Sequence, residues 1–195
     1  MFSCTVNDDI ELRLISLSQS EELFNLINSN RTHLRRWHPW MDIIRSVADV
    51  EKVIAIWQQQ HDSKRGFCAG IWFREKLCGA INHLGIDPLN RWTALSFWLD
   101  EAHQGQGIMT ASCRAFVAHT FDNLKLNRVT IECATENRRS RAIPERLGFK
   151  FEGVVREIEW LHDHYVDHAV YGMLRSDYGS KHLIAAHEFL AVASP

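Results

Sequence analysis

The segment from Ala102 to Thr110, with glycines at 105 and 107, constrains this chain more than any other part of it. It stands between an apolar run, residues 94–99, that reads as a strand and a helical pattern that continues to about Asn123. Paired glycines at the start of a helix let the backbone turn tightly, and the first helical turn leaves its N–H groups unpaired and positively polarised. Such a turn suits a phosphate, although glycines between a strand and a helix also serve as plain turn chemistry. Two familiar phosphate loops do not fit. Thr110 stands where a dinucleotide fingerprint needs its third glycine, and Ile108 follows Gly107 where a nucleoside-triphosphate loop needs lysine. What remains is a pyrophosphate held mainly by backbone.

The rest of the chain has to say whose pyrophosphate it is. At 195 residues and 46% apolar, the chain fits one domain, since halves of it would have marginal cores. A formal charge of -2 offers no overall basic surface, so no nucleic-acid partner is expected. Cys4, Cys68, Cys78, Cys113 and Cys133 are odd in number, lack Cys-x-x-Cys spacing and read as small core residues in a reducing compartment. No apolar run approaches ~20 residues, and Asn7, Asp8 and Asp9 do not suit a signal peptide. The expectation is a soluble, cytoplasmic protein with no membrane partner.

Along the chain, α and β patterns alternate without repeats. Residues 11–15 read as a first strand, and residues 18–30 as a helix with Ser18 as N-cap and Leu23, Phe24, Leu26 and Ile27 on one face. Residues 33–42, carrying Trp37, His38, Pro39 and Trp40, suggest a short helix or loop, and residues 47–60 a second long helix. Residues 67–74 and 77–86 form a hairpin pattern around Glu75-Lys76, and residues 91–99 add a third strand. After the glycine turn come a buried strand at 128–135, a short helix at 140–147 stopped by Gly148, and two strands at 151–160 and 166–174. The tail, residues 175–195, is expected to be helical, packed on the surface or on a partner subunit; a homodimer is left open.

This order of elements resembles the GNAT acyltransferase fold. The runs Asn127-Arg128-Val129, Asn137-Arg138-Arg139-Ser140-Arg141-Ala142, Glu145-Arg146-Leu147-Gly148-Phe149 and Glu152-Gly153 look like the ribosomal-protein serine/alanine N-acetyltransferase branch. The resemblance spans residues 10–174. It implies an α/β domain with a mixed, mostly antiparallel sheet, splayed central parallel strands and flanking helices. It also implies acetyl-CoA as co-substrate with no metal. Backbone amides of Gln104, Gly105, Gln106, Gly107, Ile108, Met109 and Thr110 would surround the CoA pyrophosphate, with the Thr110 hydroxyl a further donor. The family usually opens this loop with Gln or Arg; here Ala102 stands there, and Gln104 or His103 would have to substitute. The pantetheine arm would lie between Trp98-Leu99 and Cys133-Ala134-Thr135. There it would mimic a strand, with the N–H of Leu99 or a neighbour at the thioester carbonyl and Asn137 on the arm. Asn137 serves equally as a helix N-cap.

An amine attacks a thioester only as its free base. A lysine amine with pKa ~10.4 is free about 0.04% of the time at pH 7, whereas an α-amine with pKa ~7.7 to 8.0 is free roughly 10 to 20%. An α-amine therefore needs far less help from a base, and a single carboxylate acting directly or through water suffices, worth about 10²- to 10⁴-fold. The resemblance places that base at Glu159 and a serine near the acetyl sulfur at Ser140. Alternation puts Glu157 and Leu161 on the side of Glu159, so the face also reads as solvated and the choice between the glutamates stays open. Ser140 also reads as a cap for the helix it opens. Arg138, Arg139 and Arg141 suit a 3′-phosphate or a solvated helix face. Residues 37–40 suit core packing or an aromatic wall for the acceptor. His162, Asp163, His164 and His168 read as a β-turn and its flank rather than a metal site. The implied reaction is direct transfer in a ternary complex. The acceptor is the N-terminal α-amine of a protein such as a ribosomal protein, with a small amine or a non-catalytic acetyl-CoA-binding module as alternatives.

Overall fold

A computed structural model describes residues 2–179. One eight-stranded sheet runs through it in the order β1-β2-β3-β4-β5-β6-β8-β7. The strands are β1 (Ser3–Thr5), β2 (Ile10–Leu14), β3 (Cys68–Phe73), β4 (Lys76–Asp87), β5 (Trp92–Leu99), β6 (Arg128–Ala134), β7 (Lys150–Leu161) and β8 (His164–Leu174). The helices are α1 (Ser20–Ser29), α2 (Arg31–Leu34), α3 (Val47–Asp62), α4 (Ile108–Asp122) and α5 (Arg138–Leu147). Among the described residues only β5 and β6 pair in parallel, as expected for strands joined through a crossover helix, here α4.

Alternation, interrupted in β4 by a bulge at Cys78, sends the strand side chains to two separate cores. Ile71, Cys78, Ile81, Leu95, Phe97 and Leu99 join Ile108, Cys113, Phe116 and Phe121 of α4 on one face. Trp72, Leu77, Ala80 and Trp98 join Leu23 and Ile27 of α1 and Val50 and Ile54 of α3 on the other. The helices therefore flank the sheet as layers. Inside the α4-side core lies one fully buried imidazole, His83. The Phe67 N–H donates to its Nδ1 at 3.4 Å, its Nε2–H donates to Thr120 Oγ1 at 3.1 Å, and the Thr120 hydroxyl donates to the Phe116 carbonyl at 2.8 Å. Desolvation pushes His83 down to about 3.

The first helix corrects the expected Ser18 cap. Ser18 sits inside a 3₁₀ turn, Leu17–Gln19, and the capping work falls to Ser16, whose N–H and hydroxyl both donate to Gln19 Oε1, at 2.9 and 2.7 Å. Helix α1 starts only at Ser20. Strand β1 was not read from the sequence; three residues on a sheet edge are too short to show alternation. Of the tail, residues 175–179 are helical and the remainder lies outside the described residues.

Candidate active site

The sheet opens where its two parallel strands part. Pairing of β5 with β6 runs from Trp92↔Arg128 to Leu95↔Ile131 and stops there. On its other edge β5 stays paired with β4 as far as Gly79↔Leu99, and the Asp100 N–H donates to the Cys78 carbonyl at 2.9 Å. Backbone directions alternate along an antiparallel strand, so Trp98 and Asp100 face β4 while the N–H of Leu99 points toward the opening. The Trp98 side chain is buried in the α1/α3 core, so this residue shapes the opening without donating into it. On the far side, the Thr135 N–H donates to the Asp167 carbonyl at 2.9 Å. By the same alternation the Ala134 N–H points back toward β5. Two amides thus face each other across a gap that an extended chain would fill.

At the end of β5 lies the glycine turn. Gly105 and Gly107 take φ of +74° and +79°, a left-handed conformation that favours glycine. A Cβ on either would meet nothing within 4 Å, so open space lies over both. Gly107 is the N-cap of α4 and, having no side chain, satisfies none of the first-turn donors. The Gln104 N–H closes on the Glu101 carbonyl at 3.3 Å. Among the described residues, the six amides from Gly105 to Thr110 make no hydrogen bond. The turn fits a pyrophosphate by this free row of donors and by the positive end of α4.

Neither side chain expected to replace the missing Gln or Arg at Ala102 is free. The His103 ring binds Asp100 at 2.7 Å, and Gln104 is held at both ends. Gln104 Nε2–H donates to His33 Nε2 at 2.7 Å, and Gln104 Oε1 accepts from Arg139. Arg141 is also engaged, donating to the Tyr171 hydroxyl and the Thr135 carbonyl at 3.0 Å each. Of the three arginines only Arg138 makes no side-chain bond among the described residues.

Helix α5 brings Asn137 and Ser140 to the gap. The Asn137 side chain is the helix N-cap and accepts the Ser140 N–H at 3.2 Å. Ser140 is therefore the capped residue rather than the cap. Its hydroxyl, half-buried, makes no bond among the described residues. The helix ends at Gly148 in the left-handed conformation, φ +77°, as its sequence implies.

Glu157 and Glu159 of β7 do not stand in one unbroken ladder. The ladder between β7 and β8 shifts between Val155↔His168 and Glu159↔Val166, and Glu157 inside the shift has φ +49°. This corrects the expectation from simple alternation, which assumes an unbroken ladder. Glu157 is exposed, whereas the Glu159 side chain is 32% exposed and accepts a hydrogen bond from His168 Nε2–H at 2.9 Å. His168 stands opposite Ala134 in β6, so the Glu159 carboxylate is tied to the residue beside the opening. Sequence reading missed this role for His168. Its one signal was two successive polar residues, Asp167 and His168, within the run 166–174 that is otherwise largely apolar.

The other histidines of this hairpin turn to different partners. His162 Nε2 bonds the Arg35 carbonyl at 2.8 Å, which seats the β7–β8 turn on α2, and His164 pairs with Asp163 at 2.7 Å. A cleft of about 490 Å³ between these elements is lined by Arg31, Thr32, Arg35, Arg36, Asp42 and His162. Nearby, Trp40 packs against the α1/α3 core with its ring 6.3 Å from that of His38, so part of the aromatic cluster is core. Cys133, at the end of β6, is 8% exposed, and burial pushes its thiol up to about 11. No helix among the described residues is long and apolar enough to cross a membrane.

Comparison with known proteins gives this geometry a context. Residues 9–150 match the acetyltransferase (GNAT) domain family. The putative ribosomal N-acetyltransferase YdaF of Bacillus subtilis is 35% identical over 180 residues, 91% of this chain and 98% of that protein. The ribosomal-protein-serine acetyltransferase of Escherichia coli is 30% identical, covering 87% of this chain and 94% of that protein. Among solved structures, the ribosomal L7/L12 alpha-N-protein acetyltransferase RimL in complex with coenzyme A superposes with a TM-score of 0.86. That match is 26% identical and covers 89% of this chain and 98% of the other.

Proposed function

The chain belongs to the GNAT acetyltransferase family and is an acetyl-CoA-dependent N-acetyltransferase, and we propose that its acceptor is the N-terminal α-amine of a protein, a ribosomal protein foremost. The names of its relatives support this acceptor, and so does the chemistry. The described site offers one tethered carboxylate as base, which is enough for an amine already free to roughly 10 to 20% at pH 7.

The amides from Gly105 to Thr110 hold the pyrophosphate of acetyl-CoA, and the Ala134 N–H holds its extended arm as a substitute strand. Asn137 keeps the rim of this groove in place as the N-cap of α5, and its amide group faces the arm. Bound there, the donor supplies an activated acetyl thioester. Leu99 N–H donates to the carbonyl oxygen as negative charge gathers on it during attack. Glu159 takes the proton of the attacking amine, and the Ser140 hydroxyl donates to the departing sulfur. Ser140 is too weak an acid to be drained of its proton, so it stabilises rather than titrates. Burial pushes the Cys133 thiol up to about 11, which disfavours it as an acetyl carrier and supports direct transfer within a ternary complex.

The observation that carries this reading is the bond from His168 to Glu159, because it ties a carboxylate to the strand beside the open end of the sheet. The test is acetyl transfer from labelled acetyl-CoA to a panel of ribosomal-protein N-terminal peptides, polyamines and aminoglycosides. Transfer to peptide α-amines is expected, with blocked N-termini inert. Preference for a polyamine or an aminoglycoside would replace the proposed acceptor with a small amine.

A further inference from the structure

We propose that the dipeptide Asp167-His168 is a clamp that positions Glu159 by fixing a two-residue bulge in β7. The proposal rests on Glu159 acting as the base. Between Val155↔His168 and Glu159↔Val166, three residues of β7 stand against Asp167 alone. If the register of Val155↔His168 continued without interruption, Val166 would face Glu157 and His164 would face Glu159. The bulge gives Glu159 the register place that straight pairing would give Glu157. At ~3.3 Å per residue, it draws Glu159 back by roughly 7 Å along the hairpin, toward the opening between β5 and β6.

Asp167 and His168 hold this arrangement at three points. Asp167 Oδ1 accepts the Glu157 N–H at 2.8 Å, which secures the residue with φ +49° at the centre of the bulge. The Asp167 carbonyl accepts the Thr135 N–H at 2.9 Å, which fixes the dipeptide to the end of β6. His168 Nε2–H donates to Glu159 Oε2 at 2.9 Å. An ionised carboxylate only accepts, so the imidazole is the donor and Oε2 is committed to it. Glu159 Oε1 makes no bond among the described residues and is the oxygen left to receive a proton. Glu157, exposed at the centre of the bulge with its N–H held by Asp167, is thereby set aside as the base. Asp167 and His168 are positioning residues, acting through Glu159.

Steady-state kinetics of the full chain, alone and in a Glu159→Gln background, test the clamp. His168→Gln places an amide N–H where Nε2 stands, and His168→Asn carries the same amide one bond short. His168→Asn is expected to lower kcat at least tenfold with the acetyl-CoA KM within twofold of the parent, and His168→Gln to recover most of that loss. In the Glu159→Gln background His168→Asn should cost less than a further twofold, as expected of groups acting as one unit. Asp167→Ala is expected to lower kcat similarly and to speed amide exchange at Glu157 at least tenfold, with Asp167→Asn recovering both. The clamp is overturned if His168→Asn and Asp167→Ala turn over within twofold of the parent, or if their losses persist in full without Glu159. A slow Glu159→Gln beside a fast His168→Asn would leave the base in place and remove the clamp alone. A fully active Glu159→Gln would remove both.

Discussion

Gln104 and His33 meet at 2.7 Å across seventy-one residues of sequence, and the other end of the same Gln104 amide accepts from Arg139. One side chain thus joins helix α2, the phosphate turn and helix α5. Gln104→Ala leaves His33 and Arg139 without this partner and loosens the wall of the turn. A lost hydrogen bond of this kind is worth ~1 kcal/mol, or about fivefold in affinity. The expected outcome is an acetyl-CoA Kd about fivefold weaker by calorimetry; an unchanged Kd would show that the turn keeps its shape without the bridge.

Gly107→Ala separates backbone strain from donor binding. The new Cβ meets nothing in the chain itself, so the folding cost is that of an L-residue at φ +79°, ~1 to 2 kcal/mol. The same methyl group enters the space over the turn. A thermal midpoint lowered by several degrees is expected together with acetyl-CoA binding weakened at least tenfold. Binding at parental strength would remove the turn from the donor site.

Ser140→Ala leaves the helix cap intact, because the cap bond runs from the Ser140 backbone N–H to Asn137. Removal of the hydroxyl should lower kcat about 10- to 100-fold with the acetyl-CoA Kd within twofold. A defect confined to Kd would reassign the hydroxyl to donor binding.

Cys133→Ala tests direct transfer. The thiol is buried and held above neutral titration, so the variant is expected to turn over within threefold of the parent. Mass spectrometry of the wild-type protein with acetyl-CoA and no acceptor should show no acetylated enzyme. An acetyl adduct lost in the variant would instead establish a covalent intermediate.

His83 sets a pH dependence of stability. Its folded-state value, pushed down to about 3, lies below the ~6.5 of an unfolded chain, so between these limits the unfolded state binds a proton that the native state refuses. Stability from this group is complete above about pH 6.5 and is lost as pH falls toward 3, with a limiting slope of about 1.4 kcal/mol per pH unit. Urea unfolding between pH 7.5 and 4 should show His83→Gln less stable at neutral pH and flatter by close to one proton. Parallel slopes would assign the acid sensitivity to other groups.

Much of the geometry of the glycine turn and of α5 could be read from the chain because its determinants are local. The glycine turn, the start of α5 at Asn137 and its stop at Gly148 each depend on residues within one or two turns of each other. The hairpin carrying Glu159 was legible as two strands, yet its bulge was not, since periodicity counts residues along one strand and the bulge is a property of two. The bond from Gln104 to His33 and the contact of His162 with α2 lie beyond any local pattern for the same reason. Ser16 rather than Ser18 caps the first turn because Gln19 reaches back to it, a choice between neighbours that propensity does not resolve.

The eight-stranded sheet is also a partition. The side chains on the α4 and α5 face belong to one packed body and those on the α1 and α3 face to another, with few bridges such as Gln104 crossing between. The layer around α1–α3 can therefore be repacked with little disturbance to the body that holds α4 and α5. Grafting that layer from a relative, with Gln104 and His33 kept as a matched couple, is expected to change the acceptor preference and to leave acetyl-CoA binding near its parental strength.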